Sequence, residues 1–201
     1  MSGSVIKKLP KAARREQLLE TAQAIMSEEG TDALTLGYVA ERAGVSKPIA
    51  YEHFGTRAGL LIALCSDYDQ RQMQAQRKAI EAGGETLQDV AAIFASSYVS
   101  CVLDMGPAMG AAFAALSATE ETADFRQSLR RGYVVRYREG FGRVVKLPRN
   151  DEAIFLGFLG AAEALAQDAA ARRISREEAV DALSRIFRAT LERYPSRGKA
   201  S

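Results

Sequence analysis

Residues 35–54, TLGYVAERAGVSKPIAYEHF, constrain this chain more than any other stretch. Leu36, Val39, Ala40 and Ala43 recur at helical spacing behind Thr35, a side chain suited to capping a helix start. Gly44 then ends that helix, because glycine takes a left-handed C-terminal conformation without steric penalty. Val45 reads as an apolar pin between two helices and Ser46 as the cap of the second. Pro48 falls in its first turn, where a missing N–H does little harm. A helix, a tight turn and a short second helix in this order form a unit that can enter a DNA groove.

The other elements also read as helices. The chain has 201 residues, 47% hydrophobic and 26% charged, enough for one large or two small domains with a buried core. Its alanine-rich, proline-poor composition leans helical, and no stretch reads as a strand. A first helix is expected over 11–29, stopped by Gly30, and Thr31-Asp32 forms a polar link. Thr56 caps a helix reaching about Ala82, and Gly83-Gly84 breaks it. Helices follow over 87–103, 108–118, 124–146 and 151–171, the last capped by Asn150. Ser175 and Glu178 form a capping box for a final helix to about Arg193. The expectation is an all-α fold of about nine helices.

Charge and cysteine use narrow the function. The net charge is only +2, but residues 1–15 hold Lys7, Lys8, Lys11, Arg14 and Arg15 with no acid. A flexible basic arm over 1–10 either reaches phosphates or the minor groove, or is a solvated tail. Cys65 and Cys101 stand far apart and His53 is the single histidine. That excludes a Cys/His zinc site within one chain and suggests two reduced thiols. No metal and no cofactor is expected. No run approaches the roughly 20 apolar residues of a membrane span, and nothing resembles a signal peptide, so the expected home is the cytoplasm, away from any membrane.

The segment from Arg14 to Leu61 resembles the DNA-binding domain of the TetR family of bacterial transcriptional regulators. The residues that carry the resemblance are Ile25 to Gly30, Thr35, Val39-Ala40, Ala43-Gly44-Val45-Ser46-Lys47, Tyr51, His53-Phe54, and Arg57 ahead of Leu60-Leu61. It implies a helix-turn-helix domain over 11–60 with its motif at 35–54, a ligand-binding and dimerisation body over 61–194, and a disordered tail over 195–201. It also implies a cytoplasmic homodimer that binds palindromic operator DNA, most simply a repressor released by a small-molecule inducer. The DNA-facing residues would be Thr35, Ser46, Lys47, Pro48, Ile49, Tyr51, His53 and Arg57, the last as a phosphate clamp. Gly37, Ile49, Ala50 and Glu52 depart from the usual pattern. Glu52 would repel phosphate or accept from cytosine N4, and Ile49 would touch a thymine methyl.

In the body, Phe94, Tyr98, Met105, Met109, Phe113, Tyr133 and Phe155 are candidate lining for an inducer pocket, although plain core packing serves each equally well. Residues 154–165, IFLGFLGAAEAL, are apolar nearly all round. Phe158, Ala161, Leu165, Leu183, Phe187 and Leu191 are therefore candidates for a dimer interface, the alternative being a core helix within one chain. The stretch 126–149 carries seven arginines and Lys146 against Glu139 alone, a net +7, read as a charged solvent face or a path for an anion. Competing functions are an activator, a ligand-independent binder, or an all-helical enzyme. A di-iron enzyme needs two Glu-x-x-His pairs, which one histidine cannot supply, and no catalytic residue is assigned.

Overall fold

The computed structural model describes residues 9–117 and 122–197. Among these residues the chain forms nine α-helices and a 3-10 turn. They are α1 (Lys11–Glu29), α2 (Leu36–Arg42), α3 (Lys47–Phe54), α4 (Arg57–Gly83), α5 (Leu87–Asp104), α6 (Gly106–Ser117), α7 (Ala123–Phe141), α8 (Glu152–Ala170) and α9 (Arg176–Leu191). The 3-10 turn, Thr31–Ala33, links α1 to α2. Most of the expected basic arm, including Lys7 and Lys8, lies outside the described residues, as do the end of the tail and Ala118.

The chain divides into two compact units. One comprises residues 1–67 with 107–122, and the other comprises 68–106 with 123–201. The division thus falls inside α4, later than the expected boundary at residue 60, and α6 belongs to the first unit. The first unit is built on Leu18, Ala22, Ile25, Leu34, Val39, Ala40, Ala50, Leu60 and Leu64, all fully buried. Leu18, Ala22 and Ile25 repeat at helical spacing on α1, so one stripe of that helix faces this core.

The second unit is held by an aromatic cluster. Tyr137 lies in ring contact with Phe94, Phe155, Phe158 and Phe187, at centroid separations of 4.9, 6.2, 6.1 and 5.5 Å. These rings come from α5, α7, α8 and α9, so one side chain joins four helices. Edge-on and tilted pairs of this kind add about 0.5–1.5 kcal/mol each beyond area burial. Gly140 lets α7 approach α5 closely, since a Cβ there would sit 2.5 Å from the Phe94 ring.

Helix α5 begins with a capping box that the sequence reading overlooked. Thr86 Oγ1 accepts the Asp89 N–H at 3.2 Å, and Asp89 Oδ2 accepts the Thr86 N–H at 2.9 Å. The Thr86 hydroxyl also donates to Asp89 Oδ2 at 2.7 Å, and this bond, with that from the Thr86 N–H, holds the Asp89 carboxyl below its ordinary pKa. A lowered carboxylate pKa stabilises the fold above its unfolded value, and that contribution fades as pH falls through the lowered value. Asp89→Asn should therefore lower the urea midpoint at neutral pH, and the gap to the parent protein should narrow as pH falls below the ordinary carboxylate range.

Two helix ends and the C-terminal segment differ from expectation. Helix α7 stops at Phe141 rather than near Lys146, and Gly142 N–H closes it on the Arg138 carbonyl at 2.9 Å. The next residues turn inward, burying Val144 and Val145. Val145 then pairs in an antiparallel bridge with Ser196, so residues 195–197 are tied down rather than loose. Lys146 N–H donates to Pro195 O and Arg197 N–H to Val144 O, both at 2.8 Å. Asn150 does not cap α8. Asp151 holds that position, and its buried carboxylate takes the Arg138 guanidinium instead of a helix N–H.

Helix α8 is 19 residues long and apolar enough by length and composition to cross a membrane. One side of it packs into the second unit. Phe155, Phe158, Leu159, Ala162 and Ala166 are buried, and Glu163 pairs with Arg130 at 2.8 Å.

Candidate nucleic-acid interface

Helices α2 and α3 are set by local chemistry at each boundary. Thr35 Oγ1 accepts the Tyr38 N–H at 3.2 Å and so starts α2. Gly44, at φ +68°, turns the chain out of α2, while Val45 N–H returns to the Ala40 carbonyl at 2.9 Å. Ser46 occupies the N-cap position of α3 in extended conformation, but its hydroxyl caps no helix N–H. This corrects the expected side-chain cap. It also leaves the leading turn of α3 open to an outside acceptor, and a helix start favours an anion there.

Helix α3 has two sides. Ala50 and Phe54 are buried and fix it to the first unit, with the Arg15 guanidinium 5.0 Å over the Phe54 ring. Ser46, Lys47, Pro48, Tyr51 and Glu52 are exposed, Tyr51 at 54%. Ile49 and His53 are half-buried, and burial holds His53 below its ordinary pKa. An aromatic ring half in water on a short helix, beside a lysine and a proline, has no packing role to explain it. Glu52 is partly neutralised: Lys11 Nζ stands 3.2 Å from its carboxylate, an exposed pair worth at most about 1 kcal/mol.

A clasp of exposed side chains joins α1 to α2. Tyr38 OH donates to Glu29 at 2.8 Å, while Arg42 reaches Glu28 at 2.8 Å and Glu29 at 2.9 Å. Hydrogen bonding to Glu28 raises the Arg42 pKa further. The signal for this clasp was present as an acid pair ending one helix and a tyrosine and arginine four residues apart on the next.

Arg57 does a different job from the expected phosphate clamp. Its Nε donates to Leu34 O at 2.8 Å and its Nη2 to Thr31 O at 2.6 Å. The guanidinium thus satisfies carbonyls around the 3-10 turn and ties the start of α4 to the link before α2. Thr35 remains exposed beside this turn, its oxygen engaged in the cap.

Residues 18–64 match the family model described as "Bacterial regulatory proteins, tetR family". That segment holds α2 and α3, so the resemblance to the TetR family rests on the helix-turn-helix region. It is 34% identical over 73 residues to the HTH-type transcriptional activator FasR of Mycolicibacterium smegmatis, covering 36% of this chain and 33% of that protein. It is 40% identical over 50 residues to the HTH-type transcriptional regulator BetI of Rhizobium meliloti, covering 25% of each. The matched segments thus span a third or less of those relatives. The fold extends further: a TetR transcriptional regulator from Rhodococcus sp. RHA1 aligns over 91% of this chain and 98% of its own, with a TM-score of 0.68 at 20% identity.

Gly37 lies on α2 beside the Lys47 stem. A Cβ there would rest 3.5 Å from Lys47 Cε, an ordinary contact, so the glycine is not sterically required. Gly37→Ala should raise stability by about 0.5–1 kcal/mol through helix propensity alone. A urea melt of the variant tests this, and a lowered midpoint would show that the Lys47 stem needs the space.

The second unit holds a cleft of about 500 Å³ lined by Met73, Gln76, Ile80, Phe94, Arg136 and Gly140, among others. Of the expected pocket residues only Phe94 borders it. Tyr98 and Tyr133 line an adjoining void of about 10 Å³, and Phe155 is sealed in the aromatic core. Met109 and Phe113 belong to the first unit, and Met105 lines neither of these two cavities. Arg136 pairs with Asp69 at 3.1 Å and lies 3.9 Å over the Tyr133 ring, yet its buried Nε has no partner.

Most of the expected dimer residues face inward. Phe158, Leu183, Phe187 and Leu191 are buried within their own subunit, and Ala161 and Leu165 are half-buried. On α8 and α9 the large apolar side chains left in water are Leu156, 40% exposed, and Ile186, 39% exposed. Gly157 and Ala164 are also exposed, and Gly157 and Gly160 have open space over their Cα atoms.

Proposed function

We propose that this protein is a homodimeric, operator-binding transcriptional repressor of the cytoplasm that leaves DNA when a small molecule occupies its body. The observation that carries the DNA reading is α3: packed through Ala50 and Phe54, exposed through Ser46, Lys47, Pro48 and Tyr51, and uncapped at its leading turn. Its first residues approach base edges in the major groove, Lys47 toward a phosphate or guanine O6/N7, Ile49 toward a thymine methyl, and Tyr51 and His53 toward the backbone. Thr35 serves the backbone beside α2, and the unpaired remainder of Arg57 adds positive field there.

The dimer forms through α8 and α9, on the side carrying Leu156, Gly157, Gly160, Ala164 and Ile186. Small residues there allow close helix approach, and exposed leucine and isoleucine gain by burial. The cleft of about 500 Å³ suits a ligand with an apolar body, facing Met73, Ile80 and Phe94, and a polar group that reaches Gln76 or Arg136. A ligand that binds the DNA-free conformation more tightly shifts the population away from operator.

The M. smegmatis relative is a transcriptional activator, which favours a second reading, activation. A reporter fused to a bound promoter separates the two. Selection of bound fragments from the source genome supplies that promoter: repression predicts rising expression when this gene is deleted, and activation predicts falling expression. Recovery of no enriched fragment would remove the whole proposal.

A further inference from the structure

A second cleft, of about 490 Å³, opens where α7 ends, and its lining includes Arg138, Arg143, Arg149 and Arg197 together with Glu139 and Asp151. Four guanidiniums against two carboxylates leave two positive charges uncompensated. Three arginines of α7 do find acids: Arg130 takes Glu163, Arg136 takes Asp69, and Arg138 takes Asp151 from within the cleft itself. Arg143, Arg149 and Arg197 form no ion pair among the described residues.

The backbone brings these three together from separate segments. Arg143 follows the end of α7, Arg149 sits in the link before α8, and Arg197 arrives from the far end of the chain. The Val145–Ser196 bridge and the bond from Arg197 N–H to Val144 O, at 2.8 Å, place Arg197 beside that link. Like charges gathered by a tertiary bridge repel one another, and a bound anion relieves that repulsion. Each guanidinium offers a planar fork of N–H donors that matches phosphoryl oxygens in pairs. A single carboxylate would engage one fork and leave the others unmatched.

We propose that this cleft binds a small polyanion with adjacent phosphoryl groups, such as a diphosphate, free or carried on a nucleoside. The site is independent of the DNA-binding reading, since none of its residues belongs to α2 or α3.

Calorimetric titration of the full-length protein with inorganic pyrophosphate tests it, with a nucleoside diphosphate, the bare nucleoside and orthophosphate as further arms. Saturable binding of pyrophosphate, at least tenfold tighter than orthophosphate and weakened by salt, is expected. Equal affinity for the nucleoside diphosphate identifies the phosphoryl pair alone as the ligand, and tighter affinity adds a carrier; both support the site. Arg143→Gln with Arg149→Gln should weaken binding at least tenfold, and Arg197→Gln alone should weaken it measurably. All three side chains are exposed, so a thermal melt close to the parent's is expected. No saturable binding by the parent protein, or an unchanged affinity in the double variant, overturns the proposal. So does loss of pyrophosphate binding in Lys47→Ala/Tyr51→Ala, which would put the anion on the helix-turn-helix.

Discussion

Replacing Lys47 and Tyr51 together by alanine should lower specific DNA affinity about a thousandfold or more while the fold is retained. Both side chains are exposed on α3, Tyr51 at 54%, and neither carries the packing that Ala50 and Phe54 supply. A lost base or phosphate contact costs about 1–3 kcal/mol. Two residues in each of two half-sites then remove about 4 kcal/mol at the low end, close to three decades in Kd. Far-ultraviolet circular dichroism and the thermal midpoint should stay near those of the parent. Gel shifts at fixed ionic strength read the affinity, because phosphate contacts weaken steeply with salt. Binding within tenfold of the parent would mean that some other surface enters the groove.

Gly59→Ala should destabilise the protein by about 2–4 kcal/mol and lower the melting temperature by roughly 10 °C. Gly59 lies in the first turn of α4, with its N–H on Thr56 Oγ1 at 3.0 Å. A Cβ there would sit 2.0 Å from the Phe54 carbonyl oxygen. That oxygen is backbone and cannot swing aside. Relief requires moving the end of α3, the Gly55 turn at φ +69°, or the start of α4 with the Arg57 bonds to Leu34 and Thr31. The contrast with Gly37→Ala is instructive. The same substitution within a helix stabilises where the space above is a lysine stem and destabilises where it is a carbonyl. Calorimetry or a urea melt checks the sign, and a midpoint equal to the parent's would refute the close approach of α3 to α4.

The helix-turn-helix was readable because each of its boundaries is written in its own residues. Thr35 starts α2, Gly44 ends it, Pro48 fits the first turn of α3, and Gly55 ends that helix. What failed was non-local. The early end of α7 is stabilised by burial of Val144 and Val145 and by pairing with Ser196, far along the chain. Arg57 looked like a phosphate ligand because a guanidinium serves a backbone carbonyl and a phosphate oxygen equally well; only the position of Leu34 and Thr31 decides. The dimer candidates failed for a related reason. Large apolar residues on an amphipathic helix mark the core first, so Phe158, Leu183, Phe187 and Leu191 were claimed by their own subunit. The surface left over is mostly small side chains, whose pattern gives little signal until burial is known. The cleft bordered by Arg136 was hidden similarly, since its lining is drawn from α4, α5 and α7 and shares only Phe94 with the expected set.

The central claim is that two copies of α3, presented by one dimer, read a two-fold symmetric site. The direct measurement is selection of bound duplexes from a random pool, followed by hydroxyl-radical footprinting and sedimentation of the complex. The account predicts an inverted repeat, protection of two half-sites on successive major-groove faces, and an even number of subunits per duplex. An asymmetric consensus, or one subunit bound alone with full affinity, would contradict it.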